Sequence, residues 1–275
     1  MNVLIIGANG MLGKDLMTVF ASHNPTGVDR EEMDITDPMA VNMKLDEILP
    51  DVVINASGYT AVDMAEGPDG QQEAIAINGI GVGTLAEACA KRGMPLVHFS
   101  TDYVFDGAKN GEYKESDSPA PINHYGESKL LGETLLQKYC TKFYLIRTSW
   151  LYGKYGKNFV QTMIDLGKKG QQLTVVNDQI GKPTWTYDLA ESVHSLIVEL
   201  RPFGIYHLVN EDAVSWYDFA VEIFQELEME VDVLPVSSEE FVRPARRPQN
   251  SALANAKFPL LRSHKDALRN YLSTL

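Results

Sequence analysis

The amino-acid sequence predicts an α/β fold, a doubly wound parallel sheet followed by a smaller C-terminal lobe. Two observations carry this. Short apolar runs alternate along the chain with segments whose apolar residues recur at helical spacing. The runs are continuously apolar rather than alternating, as strands covered by helices on both faces require. A glycine-rich turn between the first run and the first helical segment fits the same class.

The elements follow in order. "VLII" (3–6) is the first strand. In "MLGKDLMTVFAS" (11–22), Leu12, Leu16 and Phe20 recur every four residues on one helix face. "TGVD" (26–29) is a weak second strand and "DVVINA" (51–56) a strong third. "AIAINGIGVGTLAEACAKRG" (74–93) is a helix stopped by Gly93. "PLVHFS" (95–100) is the fourth strand, the stretch from "NHYGESKLLGE" to about Cys140 a helix, and "FYLIRT" (143–148) the fifth strand. Beyond residue 150 the pattern loosens. "QLTVV" (172–176) and "GIYHLV" (204–209) read as strands, "YDLAESVHSLIVEL" and "SWYDFAVEIFQELEM" as helices, and "RPARRPQN" (243–250) as a loop. Residues 1–150 are therefore expected to form a Rossmann-type dinucleotide-binding domain. Residues 151–275 are expected to form mainly a substrate-binding lobe, with some segments returning to the sheet.

The 275 residues carry 24 Lys and Arg against 37 Asp and Glu, a formal charge of −13. An acidic surface argues against nucleic acid and anionic membranes as partners. Cys89 and Cys140 are too few for a disulfide framework and fit a reducing cytoplasm. The N-terminal strand runs straight into glycines, unlike a signal peptide, and no apolar run approaches the ~18 residues of a membrane span. The expected location is the cytoplasm.

"GANGMLG" places Gly7, Gly10 and Gly13 between the first strand and its helix. Such glycines allow a tight turn, close approach of the backbone to a pyrophosphate, and close helix–sheet packing. The helix N-terminus then offers free N–H groups to phosphate. The spacing is G-x-x-G-x-x-G rather than G-x-G-x-x-G, so position after a strand and before a helix carries the argument. A ribose contact belongs about 20 residues on. Asp29 there suits a 2′-hydroxyl and Arg30 a 2′-phosphate, leaving NADH and NADPH both open.

Tyr125 and Lys129 are four apart on a predicted helix and meet on one face. An ammonium beside a phenol favours the phenolate and lowers its pKa, which suits proton donation to a carbonyl near neutral pH. Thr101, just past the fourth strand, lies at the carboxyl edge where such sheets bind ligands and offers a hydroxyl to hold that oxygen.

These residues resemble the extended short-chain dehydrogenase/reductase family. "STDYVFDG" (100–107) with "YGESK" (125–129) resembles its dTDP-4-dehydrorhamnose reductase subfamily. "NASGYTAVDMAE" (55–66), "RTSWLYG" (147–153), "DQIGKPTW" (178–185) and "RRPQNSAL" (246–253) are similar to that subfamily too. The resemblance covers nearly the whole chain. It implies hydride transfer from NADPH or NADH to C4 of a nucleotide-sugar substrate, dTDP-6-deoxy-L-lyxo-4-hexulose. Tyr125 would give the proton, Lys129 would tune it and hold the nicotinamide ribose, and Thr101 would bond the substrate oxygen. Gly7, Asn9, Gly10, Met11 and Leu12 would cradle the pyrophosphate. Asp29 and Arg30 would meet the ribose, and Asp34 and Ile35 the adenine. Gly58, Tyr59, Thr60, Asn78 and Phe99 would also contact the cofactor. Asp102, Tyr103 and Trp150 would line the sugar site. Arg246 and Arg247, with Arg243, suit the diphosphate, because arginine forks pair with phosphate oxygens.

Some relatives are described as magnesium-bridged homodimers. Asp15 and Glu191 are candidate acidic counterparts here, but surface carboxylates are common, and no metal is assigned to them. Two other readings stay open from the sequence. One is a reductase or epimerase of a neighbouring nucleotide-linked 4-keto sugar. The other is a non-catalytic regulatory subunit of the methionine adenosyltransferase type, which resembles the same subfamily.

Overall fold

A computed structural model describes residues 1–275. The chain opens with β1 (Asn2–Ile6), α1 (Met11–Val19), β2 (Asn24–Val28), α2 (Pro38–Ile48) and β3 (Val52–Asn55). Next come α3 (Pro68–Ala74), a π-helical segment (Ile75–Gly81) that continues into α4 (Val82–Lys91), and β4 (Leu96–Thr101). Then follow α5 (His124–Tyr139), β5 (Phe143–Thr148), β6 (Leu151–Tyr152), α6 (Phe159–Gly167), β7 (Leu173–Val176), β8 (Ile180–Gly181) and β9 (Thr184–Trp185). The last third holds α7 (Thr186–Val198), β10 (Gly204–His207), β11 (Val214–Ser215), α8 (Trp216–Glu226), β12 (Val233–Val236) and α9 (His264–Leu272).

Six strands form one parallel sheet in the order β10-β5-β4-β3-β1-β2. Its two faces alternate along each strand, as the two-residue period of a strand dictates. Val3 and Ile5 join Leu16, Phe20, Leu189 and Val193 in a core under α1 and α7. Leu4 and Ile6 join Val41, Leu45, Leu85 and Leu136 in a core under α2, α4 and α5. The chain leaves β1 toward β2 and returns to β3 on the other side. This places a crevice at the carboxyl ends of β1 and β3, where doubly wound sheets bind ligands. β10 and α7, late in the sequence, belong to this layer, so the chain re-enters the sheet after its looser part. A separate apolar cluster around Tyr152, Val160, Trp185, Phe219 and Phe224 forms the core of the remainder. No helix is long and apolar enough to cross a membrane.

The α/β class and the parallel sheet agree with the sequence reading. Several local features differ from it. α2 is not visible as a periodic segment, because Met39 and Met43 face solvent while Val41 and Leu45 are buried. Its start rests on Asp37, whose carboxylate accepts the Met39 N–H at 2.8 Å, and on Pro38. The predicted helix over 74–93 begins earlier, at Pro68, and widens to π geometry over Ile75–Gly81. That widened turn carries the buried Asn78. α5 crosses it closely, since a Cβ on Gly132 would sit 2.1 Å from the Asn78 carbonyl oxygen.

Candidate active site

The glycine turn is held by contacts that forbid side chains. Gly7 has φ +78, a left-handed conformation, and a Cβ on Gly13 would lie 2.0 Å from the Gly7 carbonyl oxygen. α1 therefore starts directly over the turn, with Gly10 as its N-cap and no side chain covering the free N–H groups. Met11 and Leu12 can offer only backbone there; the Leu12 side chain is buried in the core. A cleft of about 280 Å³ opens beside the turn, bordered by Gly7, Gly10, Asp29, Arg30, Asp34, Ile35 and Gly58. The open cradle and the uncapped helix start fit a dinucleotide pyrophosphate.

Asp29 accepts the Asn9 N–H at 3.1 Å, which ties the end of β2 to the turn. Arg30 is exposed, and its Nε donates to Asp34 at 3.2 Å. Both candidate ribose contacts therefore line the cleft, as the sequence reading left open. On the far wall, Asn78 accepts the Tyr59 N–H at 2.9 Å and donates to the Tyr59 carbonyl at 3.0 Å and to Ser128 Oγ at 3.1 Å. One buried amide thus fixes the Gly58–Tyr59 loop against α5. Thr60 is exposed on the rim of that loop.

α5 starts at Asn123, whose side chain accepts the Gly126 N–H at 2.8 Å and donates to the Arg246 carbonyl at 2.8 Å. Tyr125, Lys129 and Glu133 then recur every four residues, and all three are buried. Lys129 Nζ donates to the Phe99 carbonyl at 3.2 Å, and a Cβ on Gly58 would lie 3.0 Å from that nitrogen. The ammonium therefore faces the floor of the glycine cleft. Burial lowers its pKa to about 8, and Glu133 opposes this.

Burial pushes the Tyr125 phenol up, and Asp102 adds to this once it is ionised; the Thr101 hydroxyl beside it acts the other way. The phenol is thus held protonated at neutral pH, the form a proton donor needs. Lys129 is not among the groups that shift it in the structure, unlike the sequence expectation that it would lower this pKa. Thr101 closes β4, accepts the Tyr103 N–H at 3.1 Å and donates to Asp102 at 3.0 Å. Tyr103 meets the Tyr125 ring edge-on at 6.1 Å.

Burial pushes the Asp102 carboxyl up to about 7, with Ser251 and Thr101 opposing. A carboxyl raised on folding costs stability once it ionises in the native state. The cost is absent below the unfolded value near 4, grows between that and about 7, and is complete above. Asp102→Asn should therefore raise the thermal midpoint more at about pH 8 than at about pH 4. An equal shift at both values would show that the native carboxyl titrates normally.

The remaining candidates lie across two joined clefts. One, of about 400 Å³, is bordered by Tyr103, Phe159, Met163, Gln179, Trp216, Arg243 and Arg247. The other, of about 430 Å³, includes Arg243, Arg246 and Arg247. Arg247 and Arg243 both pair with Asp63, and Ala245 N–H donates to the same carboxylate at 3.2 Å. Arg246 is exposed. Trp150, at φ +48, stacks on Trp216 at 3.5 Å and packs against Gly181. Trp216, not Trp150, borders the cleft, so Trp150 stands behind it.

Asp63, Trp216 and Ser251 escape the sequence reading. Each reaches the site through a contact distant in sequence. Glu133 escapes too, although its place four residues after Lys129 was a visible signal. Of the acidic counterparts, Asp15 is buried and accepts the Thr186 hydroxyl at 2.5 Å, while Glu191 is exposed. No three His, Cys, Asp or Glu side chains are grouped to hold a metal.

The model of the RmlD substrate binding domain family matches residues 1–275. A relative from Aggregatibacter actinomycetemcomitans named dTDP-4-dehydrorhamnose reductase is 42% identical, over 91% of this chain and 90% of its own. The spore coat polysaccharide biosynthesis protein SpsK of Bacillus subtilis is 40% identical, over 98% of this chain and 96% of its own. Among solved structures, the Bacillus anthracis dTDP-4-dehydrorhamnose reductase in complex with NADP superposes with a TM-score of 0.96 at 40% identity. That match covers 100% of this chain and 99% of the other. The resemblance read from the motifs therefore extends over the whole fold, and the chain belongs to the RmlD substrate binding domain family.

Proposed function

We propose that this chain reduces the C4 ketone of dTDP-4-dehydro-L-rhamnose (dTDP-6-deoxy-L-lyxo-4-hexulose) to dTDP-L-rhamnose with NAD(P)H. The observation that carries the reading is the buried Thr101–Tyr125–Lys129 group, with Lys129 beside Gly58 of the glycine-walled cleft and Tyr125 beside Tyr103 of the arginine-walled one. In this reading residues 1–150 mainly hold the cofactor and residues 151–275 mainly the sugar nucleotide, with β10 and α7 completing the first unit.

Bound NAD(P)H supplies the hydride. The N–H groups of Gly10, Met11 and Leu12 hold its pyrophosphate, with Gly7 and Asn9 shaping the turn. Asp29 and Arg30 meet the adenosine ribose, and Asp34 and Ile35 flank the adenine. Gly58, Tyr59 and Thr60, latched by Asn78, form the wall opposite the turn together with Phe99. Lys129 holds the nicotinamide ribose. Thr101 donates to the C4 oxygen, and Tyr125 protonates it as charge develops there. Asp102 and Tyr103 shape the sugar pocket, Trp150 backs Trp216 behind it, and Arg246 and Arg247 pair with the diphosphate.

Arg247→Ala tests the last assignment. Loss of a charged hydrogen bond is worth ~1.5–3 kcal/mol, so KM for the sugar nucleotide should rise about ten- to a hundredfold. KM for NAD(P)H should not move. An unchanged sugar-nucleotide KM would place the diphosphate elsewhere. The reading as a whole is tested by offering dTDP-, UDP- and GDP-linked 4-keto sugars in parallel with NADPH and with NADH. Preferential reduction of the dTDP-linked 4-keto-6-deoxy sugar is expected. Preference for a UDP- or GDP-sugar would reassign the substrate. Cofactor binding with no turnover of any sugar would favour a regulatory subunit.

A further inference from the structure

We propose that Asp102, acting through the Thr101 hydroxyl, stores the proton that reloads Tyr125 within each turnover. This rests on the reductase reading above. Ketone reduction consumes one proton per cycle, and Tyr125 is buried, so the phenolate left after donation needs an internal source or direct access to water.

One hydrogen bond and a neighbouring hydroxyl supply a route. Asp102 is 2% exposed, and its Oδ1 lies 3.0 Å from Thr101 Oγ1. The Thr101 hydroxyl neighbours the Tyr125 phenol, whose pKa it lowers. Asp102 Oδ2 is buried with no hydrogen-bond partner, an arrangement costly for a carboxylate and far less so for a neutral acid. The side chains that face Asp102 are neutral. They are Thr101 from β4, Tyr103 just beyond it, Tyr125 from α5 and Ser251 from the C-terminal loop. Arg247 reaches Tyr103 and Asp63 instead. Lys129 directs its hydrogen bond to the Phe99 carbonyl and does not shift the phenol. With no cation beside it, the carboxyl keeps its proton toward neutral pH, in line with a pKa pushed up to about 7.

The step balances without any redox partner. Tyr125 O–H breaks as the C4 alkoxide gains its proton. Thr101 O–H then breaks to remake the phenol, and the Asp102 carboxyl O–H breaks to remake the threonine hydroxyl. Asp102 is left as a carboxylate, and recovers a proton from water when the cleft reopens.

The test is the pH profile of kcat in wild type, Asp102→Asn and Asp102→Glu, with NAD(P)H affinity measured alongside. In wild type, kcat should fall about tenfold per pH unit above about pH 7. In Asp102→Asn that limb should vanish, with kcat at about pH 6 lowered about tenfold and NAD(P)H affinity kept. Asp102→Glu should restore a limb at a displaced pH. If Asp102→Asn does not fold, Thr101→Ser should keep the limb and Thr101→Val lose it. A limb of the same position and height in Asp102→Asn, or in Thr101→Val, overturns the relay. Wild-type protein that reduces no sugar nucleotide would instead overturn the reductase reading, a distinct outcome.

Discussion

Tyr125→Phe should lower kcat by about a hundred- to ten-thousandfold, the range for loss of a positioned general acid. KM for NAD(P)H should stay close to wild type. The substitution removes one oxygen and keeps the ring that packs edge-on against Tyr103 at 6.1 Å. α5 keeps its Asn123 cap, its Asn78–Ser128 latch and the Lys129–Phe99 bond, so the cofactor cleft loses no wall. What the substitution removes is the hydroxyl proton that burial keeps on the phenol. Steady-state kinetics and a thermal melt of the same variant separate the outcomes. Turnover at wild-type level would remove Tyr125 from the chemistry. A large drop in the melting midpoint would make its role structural.

The second large effect is on stability. Glu133 and Arg147 form a bidentate pair at 2.7 and 2.9 Å, with side-chain exposures of 1% and 2%. The guanidinium also lies over the Phe105 ring at 5.1 Å, and His207 sits 3.5 Å away. Glu133→Ala leaves Arg147 as a buried charge without its counter-ion, which costs ~3–5 kcal/mol. For a chain of this size that corresponds to a fall of roughly ten degrees in the melting midpoint. Replacing both residues with methionine should cost less than Glu133→Ala alone, since no charge is stranded. A double variant weaker than the single would show that the pair itself, rather than its rupture, sets the stability. Glu133 lies two turns beyond Tyr125, so this pair also fixes how α5 presents Tyr125 and Lys129.

The parts legible in the sequence are those set by local chemistry. Continuous apolar runs such as "DVVINA" can only be covered strands, and the glycine turn can only be a tight bend, because Gly13 admits no side chain beside Gly7. Tyr125 and Lys129 share a face by helix geometry alone. The looser part resisted for the opposite reason. β6, β8, β9 and β11 are two residues long, too short for any period to show. β12 contains Pro235 and lies on an exposed edge beside β7. Trp150 illustrates the limit best. The motif placed it near the sugar, but its stacking on Trp216 turns it into a support and gives the cleft wall to its partner. Asp63 likewise gains its meaning only when the loop after β3 meets Arg243 and Arg247. Asp102 read as a pocket residue, and the loss of water around it is a property of the folded chain.

The most direct measurement follows NAD(P)H oxidation by the purified protein in the presence of dTDP-4-dehydro-L-rhamnose, with the sugar product identified. One NAD(P)H should be consumed per dTDP-L-rhamnose formed, with no oxidation in the absence of the sugar nucleotide. A protein that binds NAD(P)H yet leaves the 4-keto sugar unreduced would contradict it.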